Sequence, residues 1–482
     1  MENKTTKKIP DLIVIALAFL NRLLLFFCLD VKYFRDSCEY IARDGFAWMS
    51  GKVDRYRLPL YPMLIDIFKA VFGEYFDAAL CFCVLLVSLL SIFVFYLTLR
   101  KLTDKKWIYL LVTYSYGTFN AVAGWDKEMM TESLSLSLTV FVLYGIVLYL
   151  EKHKIRSVVF TSAVLILGCF LRAVFVIYAG LFFGAVLLTS FFPSSVKKPA
   201  VSKEEIKSIL IKSLTAFIPV VLVLLYAGAF YRQYGSFTLS DSYLGQQLVI
   251  VLENGYYEDS SDKELKSVAY KIINANLQDE SVDDEDILDP EIEAKIKDLV
   301  YEQLGFEYDI SNIPRPSWAR FYILHTYSND RVKAFVKESL GNHKSSNMLR
   351  LIPNMFEYYS TTQYRKVRST DSAQILMLFL DDAQSLFSLN IFHTIIVSLI
   401  ELIVFVSVLI RKKTILWLRI GLGACILSTI YLSLHGTNFE YARTAITVLP
   451  FVFAAFSLYL DRFAKTLENI SRKRSGSEQA QK

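Results

Sequence analysis

Ten predominantly apolar stretches divide the chain, at 11–29, 78–99, 106–124, 131–150, 157–171, 174–192, 208–230, 387–410, 414–434 and 441–460. A helix crossing a bilayer core needs about 20 such residues, so the pattern predicts an all-α polytopic membrane protein. The stretches at 157–171 and 174–192 are one apolar run interrupted by Arg172, which reads as two short helices meeting at a turn. The intervals give the orientation. Lys4, Lys7 and Lys8, the loops with Arg100 and Lys101, with Lys152 and Arg156, with Lys197 and Lys198, and with Arg411, Lys412 and Lys413, and the tail with Arg472, Lys473 and Arg474 are basic. Ten spans put all of them on one side, the cytoplasmic one by the positive-inside rule.

The opposite side receives the loop 30–77, the turn 124–132, a polar region over 231–386 and the turn 435–443. Four segments follow: a transmembrane module with the first outer loop at 1–230, an extracytoplasmic mainly helical domain at 231–386, C-terminal transmembrane helices at 387–461 and a basic cytoplasmic tail at 462–482. Apolar periodicity marks amphipathic helices near 262–276, 291–304 and 329–340, and Ile313-Pro314-Arg315-Pro316 reads as a breaker. In the first outer loop, Asp36 with Glu39 three residues on has the spacing of a capped helix start. Tyr40, Ile41, Ala47 and Trp48 recur at helical spacing up to Gly51, predicting an interfacial helix from about 37 to 50. Pro59 and Pro62 favour an extended or kinked entry to the second span.

Composition agrees: of 482 residues 54% are hydrophobic and only 21% charged, less charge than a soluble chain usually carries. The net charge of +5 sits in short loops, which excludes a nucleic-acid footprint. Of the six cysteines, Cys38 alone stands in an outer loop, so no disulfide framework is expected. No small-residue cleavage site follows the first apolar segment, which reads as a retained helix. No P-loop, HExxH or GxSxG is present, which counts against an ATP-driven pump or a membrane protease. No motif calls for a cofactor; a divalent cation is compatible with the acids. The acidic run 283–289 lacks the glycine and terminal glutamate of a calcium loop and reads as a solvated face.

What remains is a set of charged and polar residues beside the spans on one face. Asp36 reads equally as a helix cap and as a functional acid at a membrane edge. Asp126, Glu128 and Glu132 form a second acidic group; a solvated turn explains Asp126 well and Glu132 less well, because an apolar run follows it directly. Arg57, Arg172 and Arg443 offer planar recognition of phosphate oxygens. A snorkelling role is the simpler reading of Arg57 alone, and the weaker one for Arg172, inside an apolar run. His435 and Tyr441 stand in the last outer turn, where a hydrogen-bonded loop residue is the commoner role. Acids beside cations at an outer membrane face suggest a phosphate near an acid.

Several of these pieces occur in a known order. Asp36-Ser37-x-x-Tyr40-Ile41, Arg57-x-Pro59-Leu60-Tyr61-Pro62, Thr131-Glu132-Ser133-Leu134, Arg172, Tyr234-Gly235-Ser236-Phe237 and Tyr441-Ala442-Arg443-x5-Leu449-Pro450 follow one another along the chain. In this the sequence resembles the GT-C superfamily of membrane glycosyltransferases, in particular bacterial relatives of protein O-mannosyltransferases and aminoarabinose transferases. It departs from them at Leu58, where a second proline is common, and in placing Tyr441 before Arg443. The resemblance implies a GT-C-like bundle of about ten transmembrane helices. It implies inverting transfer of a hexosyl or pentosyl group from a polyprenyl-phosphate sugar donor to a glycan, lipid or protein acceptor, on the outer face of a bacterial plasma membrane. Asp36 would be the general base, with Glu132 orienting donor or acceptor. Arg57, Arg172 and Arg443 would stabilise charge on the departing lipid phosphate, and Tyr40, Glu128, His435 and Tyr441 are further candidates for binding substrate.

Two rival readings stay open. A lipid-linked saccharide transporter, flippase or polymerase-like protein should show mid-membrane polar groups and often internal repeats; here the polar groups gather at one face. A non-catalytic scaffold predicts that Asp36, Glu132 and Arg172 lie far apart.

Overall fold

The computed structural model describes residues 9–28, 30–191, 203–274, 288–304, 313–354, 413–436 and 441–480. Among them the regular elements are helices, with a single bridge between Lys32 and Glu128. The helices are α1 (Ile9–Cys28), α2 (Arg35–Ile41), α3 (Leu60–Phe72), α4 (Phe76–Leu102), α5 (Lys106–Thr118), α6 (Asn120–Ala123), α7 (Glu132–Lys152), α8 (Ile155–Leu171), α9 (Phe175–Phe191) and α10 (Lys203–Tyr234). After them come α11 (Ser242–Glu253), α12 (Lys263–Asn274), α13 (Pro290–Leu304), α14 (Arg315–Thr326), α15 (Asn329–Asn342), α16 (Lys344–Asn354), α17 (Lys413–Gly436), α18 (Tyr441–Ala445) and α19 (Leu449–Ala480).

Five described segments are long and apolar enough to cross a membrane: Ile9–Cys28, Leu60–Leu102, Glu132–Lys152, Lys203–Tyr234 and Arg443–Arg472. Three shorter apolar helices join them, Ile155–Leu171, Phe175–Ser190 and Leu418–Tyr431. The chain therefore reads as a multi-pass membrane protein. One apolar core runs through α1, α4, α5, α7, α8, α9, α17 and α19. Two glycines permit the closest approaches. A Cβ on Gly145 of α7 would stand 2.1 Å from the Thr161 hydroxyl of α8, and one on Gly168 would stand 2.3 Å from the Phe175 ring of α9. A second core is built from α11 to α15 around Trp318, Phe321, Leu248 and Phe335.

Several expectations change. The apolar run 106–124 is not one helix: α5 ends at Thr118 and Phe119 is extended. Thirteen residues make a rod of about 20 Å, short of a bilayer core of about 30 Å. Pro59 and Pro62 do not hold the chain extended. Pro59 is the N-cap of α3 and Pro62 sits in its first turn, where a missing N–H has no helical partner to lose. The interfacial helix expected over 37–50 is broken: α2 stops at Ile41, and a 3-10 turn over Ala47–Ser50 ends at Gly51 with φ 81°. Pro314 and Pro316 do not simply break the chain; they start α14. The expected span 387–410 and the acids at 283–287 lie outside the described residues.

Candidate functional site

The loop after α1 is clipped to the loop before α7. The Lys32 amide donates to the Lys127 carbonyl at 3.1 Å, and the Met129 amide donates to the Lys32 carbonyl at 3.1 Å. This pairing brings the start of α2 beside the start of α7, and so Asp36 beside Glu132.

Asp36 is not the cap of α2. Phe34 is the N-cap, and its amide donates to Ser37 Oγ at 2.9 Å. That leaves both Asp36 oxygens for arginines. Arg57 Nη2 donates to Oδ1 at 3.0 Å, and Arg443 Nη2 donates to Oδ2 at 2.5 Å. Arg57 also donates through Nε to Glu39 Oε2 at 2.8 Å. Arg443 donates through Nε to Glu132 Oε1 at 2.9 Å, and Arg172 Nη1 stands 3.3 Å from the same oxygen. Six groups alternate in sign along one line: Glu39, Arg57, Asp36, Arg443, Glu132 and Arg172.

Each position has a local cause. Glu132 opens α7, where unpaired amides and the helix dipole favour a negative charge. Arg172 caps the C-terminus of α8, where a cation is favoured. Arg443 lies in α18, ahead of the long α19. Arg57 rests its guanidinium over the Tyr40 ring at 4.7 Å, and Tyr40 packs edge-on to Tyr61 at 5.1 Å. Arg57 is thus a bridging residue rather than a snorkelling one. Its two carboxylate partners are within reach, so the headgroup region is not its nearest counter-charge.

The exposure of the acids differs. Glu132 is sealed at 1% exposure, whereas 30% of the Asp36 side chain is open. Burial would push the Asp36 carboxyl up, but Arg57 and Arg443 outweigh it and hold it well below the usual carboxylate range. The acids do not fit a divalent cation. The arginines that engage Asp36, Glu39 and Glu132 would repel one, and among the described residues no group of three or more His, Cys, Asp or Glu is arranged to hold a metal.

The structure thus brings together Asp36, Glu132, Arg57, Arg172, Arg443 and Tyr40. Glu128 is buried at the Lys32 bridge rather than in a solvated turn. His435 falls in the last turn of α17 and Tyr441 opens α18; their side chains lie outside what is described. Asp126 is also not solvated. It accepts from Arg22 Nη1 at 2.8 Å and from Ser133 Oγ at 2.5 Å, inside the bundle. Glu39 joins the network as more than a cap partner. The sequence signal for both findings is an unbalanced charge: a lone Arg22 in an apolar helix, and a second acid one turn from Asp36.

No protein-family model matches the chain, and no curated protein does. Among solved structures it is similar to the oligosaccharyltransferase AglB of Archaeoglobus fulgidus in complex with an inhibitory peptide and a dolichol-phosphate, at 14% identity over 96% of this chain and 52% of that one, with a TM-score of 0.46. The apo form of the Archaeoglobus fulgidus oligosaccharyltransferase gives 14% identity, 97% and 53% coverage and a TM-score of 0.46. ArnT from Cupriavidus metallidurans bound to undecaprenyl phosphate gives 11% identity over 92% of this chain and 77% of that one, with a TM-score of 0.28. The chain spans about half the length of the oligosaccharyltransferase structures it matches.

Proposed function

We propose that this chain is an integral membrane glycosyltransferase, moving a sugar from a polyprenyl-phosphate donor to an acceptor on the extracytoplasmic side. The observation that carries the reading is the alternating acid–arginine line through Asp36, whose central carboxylate is the open one. A scaffold's prediction of distant Asp36, Glu132 and Arg172 does not match a network in which one arginine, Arg443, joins the two acids. The bundle of about ten spans, the outer face and the inverting outcome belong to the same reading, through the loop charges and the GT-C resemblance.

The roles are those the GT-C resemblance implies, and the geometry supports them. Asp36 takes the proton of an acceptor hydroxyl, in line with the anomeric carbon. Arg57 and Arg443 stabilise the charge that develops on the departing lipid phosphate, where fixed cations act most strongly. The two roles are linked: while both guanidiniums hold Asp36, it is a weak base. A donor phosphate that competes for Arg57 and Arg443 loosens that hold and returns basicity to Asp36. Glu132 keeps Arg443 and Arg172 in place from the sealed side. The test is a screen of purified protein with polyprenyl-phosphate sugars, followed by mass spectrometry of the acceptor pool. Transfer that is lost in Asp36→Asn supports the reading; transfer that persists there removes Asp36 from the role of base.

A further inference from the structure

The five residues Val53–Arg57 are held at every position. The Val53 amide donates to Gln233 Oε1 at 3.0 Å, and the Tyr234 hydroxyl donates to the Val53 carbonyl at 2.9 Å. Asp54 Oδ1 accepts from the amides of Tyr56 and Arg57 at 2.8 and 2.6 Å. The Arg55 carbonyl accepts from the Asp241 amide at 2.8 Å, and the Tyr56 carbonyl from Ser242 Oγ at 2.6 Å.

The two arginines of this strap go different ways. Arg57 reaches the acids of the candidate site. Arg55 enters the second core: Nε donates to Asp241 Oδ2 at 2.8 Å, and Nη2 donates to the Leu324 carbonyl and to Asn329 Oδ1, each at 2.8 Å. Asn329 Nδ2 in turn donates to Asp241 Oδ2 at 2.9 Å. Asp241 is only 1% exposed. One guanidinium therefore ties the N-cap of α11, the last turn of α14 and the first residue of α15 to a single point.

We propose that Arg55 is a positioning residue for Arg57 and Asp36, so that the second helical core sets where the Arg57 guanidinium stands against the acids. Two residues of chain span about 7 Å, and Asp54 fixes the amides of Tyr56 and Arg57, so the strap has little slack. A shift of Arg55 by about 1 Å passes to Arg57, and displacements of that size cost a reacting geometry dearly. The inference rests on the reading of Asp36 and Arg57 as the reacting site. One arm of its test does not.

The first arm is amide hydrogen exchange on the purified full chain. Asp241→Asn and Arg55→Lys remove or shorten the anchor; a lysine cannot reach three acceptors as the guanidinium fork does. Both should raise exchange about tenfold over 35–41 and 53–58 and leave α7 to α9 unchanged. Arg331→Ala is the control. It breaks ion pairs to Asp262 and Glu264 on the same core, neither of which Arg55 bonds, and should leave 35–41 unchanged. A rise confined to 242–342 overturns the proposal.

The second arm is the pH profile of kcat/KM. The groups facing Asp36 are Arg57 and Arg443, with Glu39 and Glu132 behind them. A loosened Arg57 returns the Asp36 carboxyl toward its usual range, so the acidic limb should move up by about one pH unit in Arg55→Lys. A variant that merely lowers the folded fraction scales the profile without moving the limb, and that result also overturns the proposal. If the unaltered chain transfers no sugar from any donor, the proposed function falls and the exchange arm alone decides the strap.

Discussion

Among the described residues, two of the arginine–carboxylate systems are built differently. Arg22 and Asp126 are sealed, at 1% and 2% side-chain exposure, and Arg22 is saturated by Asp126, Ser88 and the Gly117 carbonyl. Nothing there is left to react. The line through Asp36 is open at its centre, and its carboxylates share arginines instead of owning them. Arg443 serves Asp36 and Glu132; Arg57 serves Asp36 and Glu39. A shared cation can change partner when a competing anion arrives, whereas a saturated buried pair cannot without leaving a charge stranded. Both systems consist of the same residue types. Saturation and access separate the pair that holds helices together from the line proposed to do chemistry.

The largest effect that would break this comparison is on the sealed pair. Arg22→Leu strands Asp126 in the bundle, and removing one partner of a buried pair costs about 3–5 kcal/mol. Thermal unfolding in detergent should show that loss, while transfer per folded molecule stays unchanged. A stable Arg22→Leu chain with no activity would reverse the assignment of the two systems. Next is Asp36→Asn, which should lower kcat/KM by about 10³-fold, inside the usual range for a general base. Its fold should survive, because Arg57 keeps Glu39 and Arg443 keeps Glu132. Smaller again is Arg443→Lys, expected to cost about 10²-fold in kcat: a lysine can pair with Asp36 or Glu132 but does not bridge both with a planar fork. Full activity in Arg443→Lys would mean that the bridge is packing only.

How much of this can be read from the sequence depends on range. The apolar runs locate α1, α4, α7 and α10 because a span is a local property of some 20 residues. The break at Phe119 and the helix at Leu60–Phe72 are not visible there, since both depend on what packs against them rather than on composition. Asp36, Glu132, Arg172 and Arg443 stand out one by one as charges beside apolar runs. Their pairing does not: Asp36 and Arg443 are 407 residues apart, and no local rule connects them. Arg57 misleads because a lone arginine at a membrane edge has a cheap solution in the headgroups, and only the fold shows that two carboxylates lie closer. Arg55, two residues earlier, carries no separate signal because its partners lie at the ends of three later helices.

The smallest expected effect sharpens the comparison through pH. The folded-state pKa of Asp36 lies below its unfolded value, because Arg57 and Arg443 outweigh the burial that would raise it. A depressed carboxyl contributes stability that is fully present above the unfolded value, about 3.9, and is lost as pH falls toward the folded one. The unaltered chain should therefore be more stable than Asp36→Asn at pH 6, and the gap in melting temperature should close below about pH 4, by at most about 1.4 kcal/mol per pH unit for one proton. A gap that stays constant from pH 6 to pH 3 would mean that Asp36 is not held by its two arginines in solution. The shared line would then not persist through Asp36, and its contrast with the sealed pair in the bundle would fall.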